Sequence, residues 1–166
     1  MDDLYDEDIY AWSQHQAAVL RALRSRPDLP NELDLEHVAE EIEDVGNSQL
    51  SAVESYLRLI FVHLMKAACS GSAEPKLHWR GEVVGFQLDL VKRFRNSMRK
   101  DIDLDSVWDD AFEQAKASLE DYGEDISPLV RLGCPFELDE LLQRRVKPDE
   151  LLGRVAARVH KPDEEP

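Results

Sequence analysis

Apolar residues return at three- and four-residue steps through most of the chain, and an apolar-polar alternation bounded by turns, the mark of a half-buried strand, is found nowhere. The first such stretch spans residues 6–24, where Ile9, Trp12, Gln16, Leu20 and Leu23 fall on one line beside Val19 and acids crowd the start. It predicts an amphipathic helix. Pro27, Pro30 and Asn31 end it, because proline supplies no backbone donor and restricts the residue before it. Asp34 then offers an N-cap oxygen to a second stripe, Leu35, Val38, Ile42 and Val45, which resumes at Val53, Leu57, Ile60 and Leu64. The spacing predicts a very long helix reaching residue 69, either bent at Gly46-Asn47-Ser48 or split there in two, since glycine costs helix propensity.

Small residues, Gly and Pro make residues 70–76 a connection. A third helix is predicted over residues 77–100, with Val84, Leu88, Val91 and Met98 on one line and Trp79, Val83, Phe86, Leu90 and Phe94 beside it. Gly81 and Gly85 share a face that a neighbouring helix could approach closely. Asp103 or Asp105 caps a fourth helix carrying Trp108, Ala111, Phe112, Ala115, Leu119 and Tyr122, and Gly123 stops it. Short helices follow over residues 138–145 and 148–159, the second with Pro148 at its start, where a helix tolerates proline best, and residues 161–166 read as a frayed end. The class is therefore all-α, a single-domain helical bundle over residues 1–146 with a helical extension and tail over 147–166.

Charge sharpens this picture. Asp and Glu number 35 against 20 Lys and Arg, a formal net charge of −15 that opposes binding to nucleic acid or to an anionic membrane surface. Residues 27–57 carry nine acids and no Lys or Arg, and residues 101–125 carry ten acids and Lys116, while residues 58–100 carry nine Lys or Arg against three acids. A helical hairpin turning about residue 73 places Arg99 and Lys100 opposite residues 46 and 47, one turn from Glu41 and Asp44. A Glu41–Asp44 pair closed by Arg99 is the cluster this predicts, either as a solvated face of weak ion pairs or as a pocket. Val38 and Val45 are expected to point inward beside it.

Catalytic signatures are missing: there is no GxSxG, GxxxxGK[ST], GxGxxG or HExxH, and no Glu has a His three residues after it. No catalytic residue and no cofactor is assigned. The metal candidates are Glu41, Asp44, His37 and His63; His37 and Glu41 share a helix face four residues apart, but the set lacks close CxxC or HxxxH spacing. His37 also reads as an exposed residue near a cap, and His63 as a core or rim histidine. Trp12, Trp79 and Trp108 read as core anchors, and Cys69 and Cys134 as small buried apolar groups. Two cysteines make no disulfide framework, and the acidic first residues lack a signal peptide's basic region, so a cytoplasmic setting is expected. The longest apolar stretch, residues 57–69, is interrupted by Arg58, His63 and Lys66 and is too short for a membrane span of ~20 residues.

LYDEDIYAW at residues 4–12, DLEHVAEEIEDVG at 34–46, LRLIFVHLMK at 57–66, Trp79 and CPFELDELL at 134–142 stand in an order and spacing that resemble a bacterial family, domain of unknown function twenty-nine. The resemblance covers residues 4–146 and implies an all-helical bacterial protein with no assigned activity, so it transfers no site residue. Three readings of function stay open. The leading one is a non-enzymatic protein-interaction module whose acidic faces meet a basic partner, with a homodimer suggested by the wide apolar bands and the Gly81/Gly85 face. The others are a metal-binding or hydrolytic protein using the Glu41/Asp44/His cluster, and an acidic mimic of nucleic acid.

Overall fold

The computed structural model describes residues 2–126, 129, 133–145 and 147–159. Seven helices are described: α1 (Asp2–Glu7), α2 (Ile9–Leu23), α3 (Leu35–Cys69), α4 (Ala73–Arg93), α5 (Leu104–Glu120), α6 (Leu138–Leu141) and α7 (Pro148–Ala156), with a 3₁₀ segment, Asn96–Asp101, between α4 and α5. The class is all-α, as the periodicity predicts. Among the described residues, extended pairing is confined to one bridge between Leu129 and Val159. Two compact units form, one from Met1–Val53 with Arg93–Ile102 and the other from Glu54–Lys92 with Asp103–Pro166. The early residues of α3 belong to the first unit and its later ones to the second.

In the first unit the expected single helix over residues 6–24 is divided. Asp8 is the N-cap of α2: its carboxylate accepts from the Ala11 amide at 2.9 Å and from the Ser97 hydroxyl at 2.7 Å. Tyr10, Ser13 and Ala17 form the buried line of α2, one step off the large apolar stripe read from the sequence. On α3 the buried positions are Ala39, Gly46 and Val53, whereas Val38 and Val45, expected inward, are 40% and 43% exposed. Gly46 explains the shift. A Cβ there would lie 2.1 Å from Ser13 Oγ and 3.2 Å from Tyr10 Cδ2, so glycine is what lets the two helices approach. The α-helix runs unbroken through Gly46, so the expected split does not occur and the glycine serves this close contact.

The third predicted helix also ends early, at Arg93 instead of residue 100. Arg95 is extended (φ −124°, ψ 143°), and its Nη1 donates to the carbonyl of Phe94 at 3.0 Å and to that of Arg93 at 3.4 Å, the last of the α4 carbonyls that lack a helical partner. Its Nε donates to the Glu7 carbonyl at 2.8 Å. The 3₁₀ segment beyond is held by Ser97 on Asp8 and by the Tyr10 hydroxyl, which donates to Asp101 Oδ2 at 2.7 Å. Long-range hydrogen bonds thus override a period that would have carried the helix onward.

In the second unit the predicted stripe Leu57, Ile60 and Leu64 is fully buried with Phe61 and Met65. Phe61 meets Trp108 edge-on at 5.2 Å and stacks on Phe136 at 5.8 Å, aromatic pairs that contribute ~0.5–1.5 kcal/mol each beyond area burial. Asp103 caps α5 by accepting from the Asp105 and Ser106 amides, and Trp108, Ala111, Phe112, Ala115 and Leu119 are buried as expected. Tyr122, placed on that stripe by the sequence, is 73% exposed. The helix has ended at Glu120, and Tyr122 lies in the turn that Gly123 (φ +71°) closes, with the Glu124 amide bonded to the Leu119 carbonyl at 3.0 Å.

On α4 the buried line is Trp79, Val83, Gln87 and Leu90, while Leu88, predicted inward, is exposed. Nothing lies within 4 Å of a Cβ built on Gly81 or Gly85, so among the described residues no other helix packs closely on that face. The facing pairs Lys66/Trp79 and His63/Glu82 keep the register of a hairpin turning about residue 73. Arg80 grips Asp149 of α7 at 2.6 and 2.5 Å. The helix expected over 138–145 closes at Leu141, and that over 148–159 at Ala156. Residues 127, 128 and 161–166, read as loop and frayed end, lie outside the described residues.

Candidate functional site

The acidic block lies on the first turns of α3. Asp34 accepts from the His37 amide at 3.3 Å, and its other oxygen lies 2.5 Å from His37 Nδ1. Both groups face water; the His37 ring holds the Asp34 carboxyl below its ordinary range, and Asp34 raises the imidazole. His37 is thereby a partner of the helix cap. Because α2 returns antiparallel to α3, Arg21 reaches Glu43 at 2.7 Å and Glu36 at 3.4 Å. The cation serving this block therefore comes from α2.

Arg99, assigned that role by sequence, lies in the 3₁₀ segment, where its Nε donates to Asn96 Oδ1 at 3.3 Å and its guanidinium sits 5.7 Å from the Phe94 ring centre. The reason is the early end of α4. Glu41 and Asp44 are exposed, and Asp44 accepts from Asn47 Nδ2 at 3.3 Å. The helical period puts Glu41 between Val38 and Val45 on one face, with Asp44 beside it. What this part of α3 brings together is thus two carboxylates and two exposed valines.

His63 stands about six turns beyond Glu41 along α3. Its Nδ1 donates to the Leu59 carbonyl at 2.7 Å and its Nε2 lies 3.0 Å from Glu82 Oε2, so both ring nitrogens are engaged within the protein. His78 approaches the same Glu82 oxygen at 3.4 Å. Burial lowers the His63 imidazole against the pull of Leu59 and Glu82, and Lys66 lowers it further. Among the described residues no three His, Cys, Asp or Glu are gathered as a metal ion needs. Burial first, then nearby carboxylates, pushes the Cys69 thiol up to about 11; burial also pushes Cys134 up to about 11, so neither is the thiolate that nucleophilic chemistry requires.

Sequence reasoning missed Arg21, Glu82 and Gln87. The hairpin register about residue 73 already pointed to Glu82 opposite His63, and a second hairpin about the Pro27–Pro30 loop would have pointed to Arg21. Gln87 had no such signal, because a lone amide among apolar positions reads as surface; it is 1% exposed, and its Nε2 donates to the Leu141 carbonyl at 2.9 Å.

The model of the family described as Domain of unknown function DUF29 matches residues 4–146. The chain belongs to this family. A DUF29 origin agrees with the order of the EEIEDVG and HLMK segments on α3 and with CPFELDELL leading into α6. The DUF29 chain is also similar to a solved alpha-helical protein of unknown function from Rhodospirillum rubrum: 38% identity, a TM-score of 0.78, and coverage of 91% of this chain and 96% of that one. No curated protein matches it. Among the described residues of this DUF29 chain no helix is long and apolar enough to cross a membrane.

Proposed function

We propose that this DUF29 protein is a non-enzymatic interaction module of the bacterial cytoplasm, and that the Val38–Glu41–Val45 face of α3 docks a basic amphipathic segment of a partner protein. The observation that carries it is the exposure of Val38 and Val45, 40% and 43%, at positions that share a helix face with Glu41. Arg21 pairs with Glu36 and Glu43, while Glu41 and Asp44 face water at the edge of the valines. Apolar side chains rimmed by carboxylates fit a helix that carries leucines on one face and lysines along its border. The formal charge of −15 steers such a partner in and repels nucleic acid. Among the described residues no cluster of ligating side chains favours the metal reading.

A Leu/Lys peptide with helical spacing, titrated by fluorescence anisotropy against its Leu/Glu counterpart, tests this. The basic peptide binds, more weakly as salt rises, and the Val38→Ser/Val45→Ser protein loses about tenfold or more. Equal binding of the acidic peptide, or unchanged binding by the double variant, rejects the docking face. A second reading, self-association, is favoured by α4, where Leu77 and Leu88 are 71% and 52% exposed beside the open Gly81 and Gly85. Light scattering over a concentration series answers it: a constant mass near 19.0 kDa excludes the dimer.

A further inference from the structure

The solvent face of α4 is complementary to itself. Leu77, Gly81, Gly85 and Leu88 are exposed along it, and a Cβ built on either glycine meets nothing within 4 Å. At about 100° of turn per residue, His78 and Asp89 stand along one flank of the two glycines, and Leu77 and Leu88 lean to the other. His78 and Asp89 are exposed as well. His78 Nε2 lies 3.4 Å from Glu82 Oε2, and among the described residues Asp89 forms no ion pair.

The order of these groups is symmetric about residue 83. Gly81 and Gly85 stand at equal steps on either side of it, and the pair Leu77 and His78 precedes it by as much as the pair Leu88 and Asp89 follows it. A twofold axis beside residue 83 therefore lays a second α4 antiparallel on the first, with like flanks together. Gly81 then crosses Gly85 of the second copy, where no Cβ keeps the backbones apart. Leucine meets leucine on one flank and imidazole meets carboxylate on the other, each twice by symmetry. A parallel copy would instead set His78 on His78 and Asp89 on Asp89. An exposed face whose own image supplies both its apolar and its charged complement fits a second copy of this chain.

We propose, resting on the self-association reading, that α4 pairs with α4 of a second copy, antiparallel and crossing at Gly81 and Gly85, with Leu77 on Leu88 and His78 on Asp89. Three turns of one helix make a small interface, so the dimer forms at ~10–100 µM and above. Sedimentation equilibrium of the full chain from ~1 µM to ~1 mM reads it, the mass rising from 19.0 kDa toward twice that value. Gly81→Gln/Gly85→Gln fills the crossing. Both positions are open and glutamine is the better helix former, so the monomer keeps its melting temperature while the dimer weakens about tenfold or more. His78→Asp sets like charges on Asp89 of the second copy and weakens the dimer about threefold, and adding Asp89→Lys restores it, which a parallel pair would not allow. A mass that stays at 19.0 kDa across the series overturns the pairing and the self-association reading together. A dimer that forms but is unchanged by the glycine variant or by His78→Asp, or that Asp89→Lys fails to recover, overturns the α4 pairing alone, with self-association then residing on another face.

Discussion

In the first unit α2 and α3 meet where side chains are small, with Gly46 of α3 against Tyr10 and Ser13 of α2, and the 3₁₀ segment is tied on by Ser97–Asp8 and Tyr10–Asp101. In the second unit Phe61, Trp108 and Phe136 fill a core of large side chains flanked by Leu57, Ile60, Leu64 and Leu119. Both are helical, yet their stability rests on different terms. Small residues let helix backbones approach, so contact there depends on shape and on hydrogen bonds, and an added methyl is a clash. Large residues bury apolar area, so a lost methylene is a cavity.

Four changes would break or sharpen this contrast. Phe61→Ala removes the ring shared by Trp108 and Phe136 and should cost ~3–5 kcal/mol by urea unfolding, with Leu57→Ala at ~2–5. In the first unit the damaging direction is reversed: Gly46→Ala should destabilise by ~1–3 kcal/mol although alanine is the better helix former by about 1 kcal/mol. Adding Ser13→Ala removes the Oγ placed 2.1 Å from the new methyl and should recover part of that loss, a coupling that a double-mutant cycle reads directly. Additive behaviour would show that the contact is not what requires glycine.

Tyr10→Phe deletes the donor to Asp101 and should cost about 1 kcal/mol, because a net hydrogen bond contributes about that much. Glu41→Gln and Asp44→Asn, exposed as both residues are, should each melt within the ~0.5 kcal/mol usual for surface changes, where a buried cluster would lose more.

The smallest effect separates the units by pH. His37, raised by Asp34, binds more proton folded than unfolded, so its contribution is complete below its unfolded value near 6.5 and is lost as pH rises through the folded value. His63, lowered chiefly by burial, binds less proton folded, so stability falls as pH drops below 6.5 toward its folded value. Unfolding curves from about pH 5 to about pH 8 on His37→Ala and His63→Gln should therefore lose opposite slopes. Slopes of the same sign in both variants would refute the assignment.

The same contrast governs what could be read in advance. The stripe Leu57, Ile60 and Leu64, the α5 line from Trp108 to Leu119, and the hairpin register joining Lys66 to Trp79 followed from apolar spacing, because large side chains announce their face. The candidate sites were less legible. Glu41 and Asp44 were found as neighbours, but their expected partner Arg99 depended on a helix that stops at Arg93. Arg21 of α2 pairs instead with Glu36 and Glu43 of the same block, a contact set by how α2 packs on α3.

By itself the sequence determined the helical class, the helical span over residues 35–69 though not its continuity through Gly46, the caps at Asp34 and Gly123, and the segregation of charge, since each depends on residues within a few turns of one another. Only the tertiary structure decided which helix faces are covered. Ser13, Ala39 and Gly46 are too small to stand out in any pattern, so it took the approach of α2 to α3 to bury them and leave Val38 and Val45 in water. The end of α4 was decided the same way, by hydrogen bonds that Ser97 and Arg95 donate to Asp8 and Glu7, residues nearly ninety positions away.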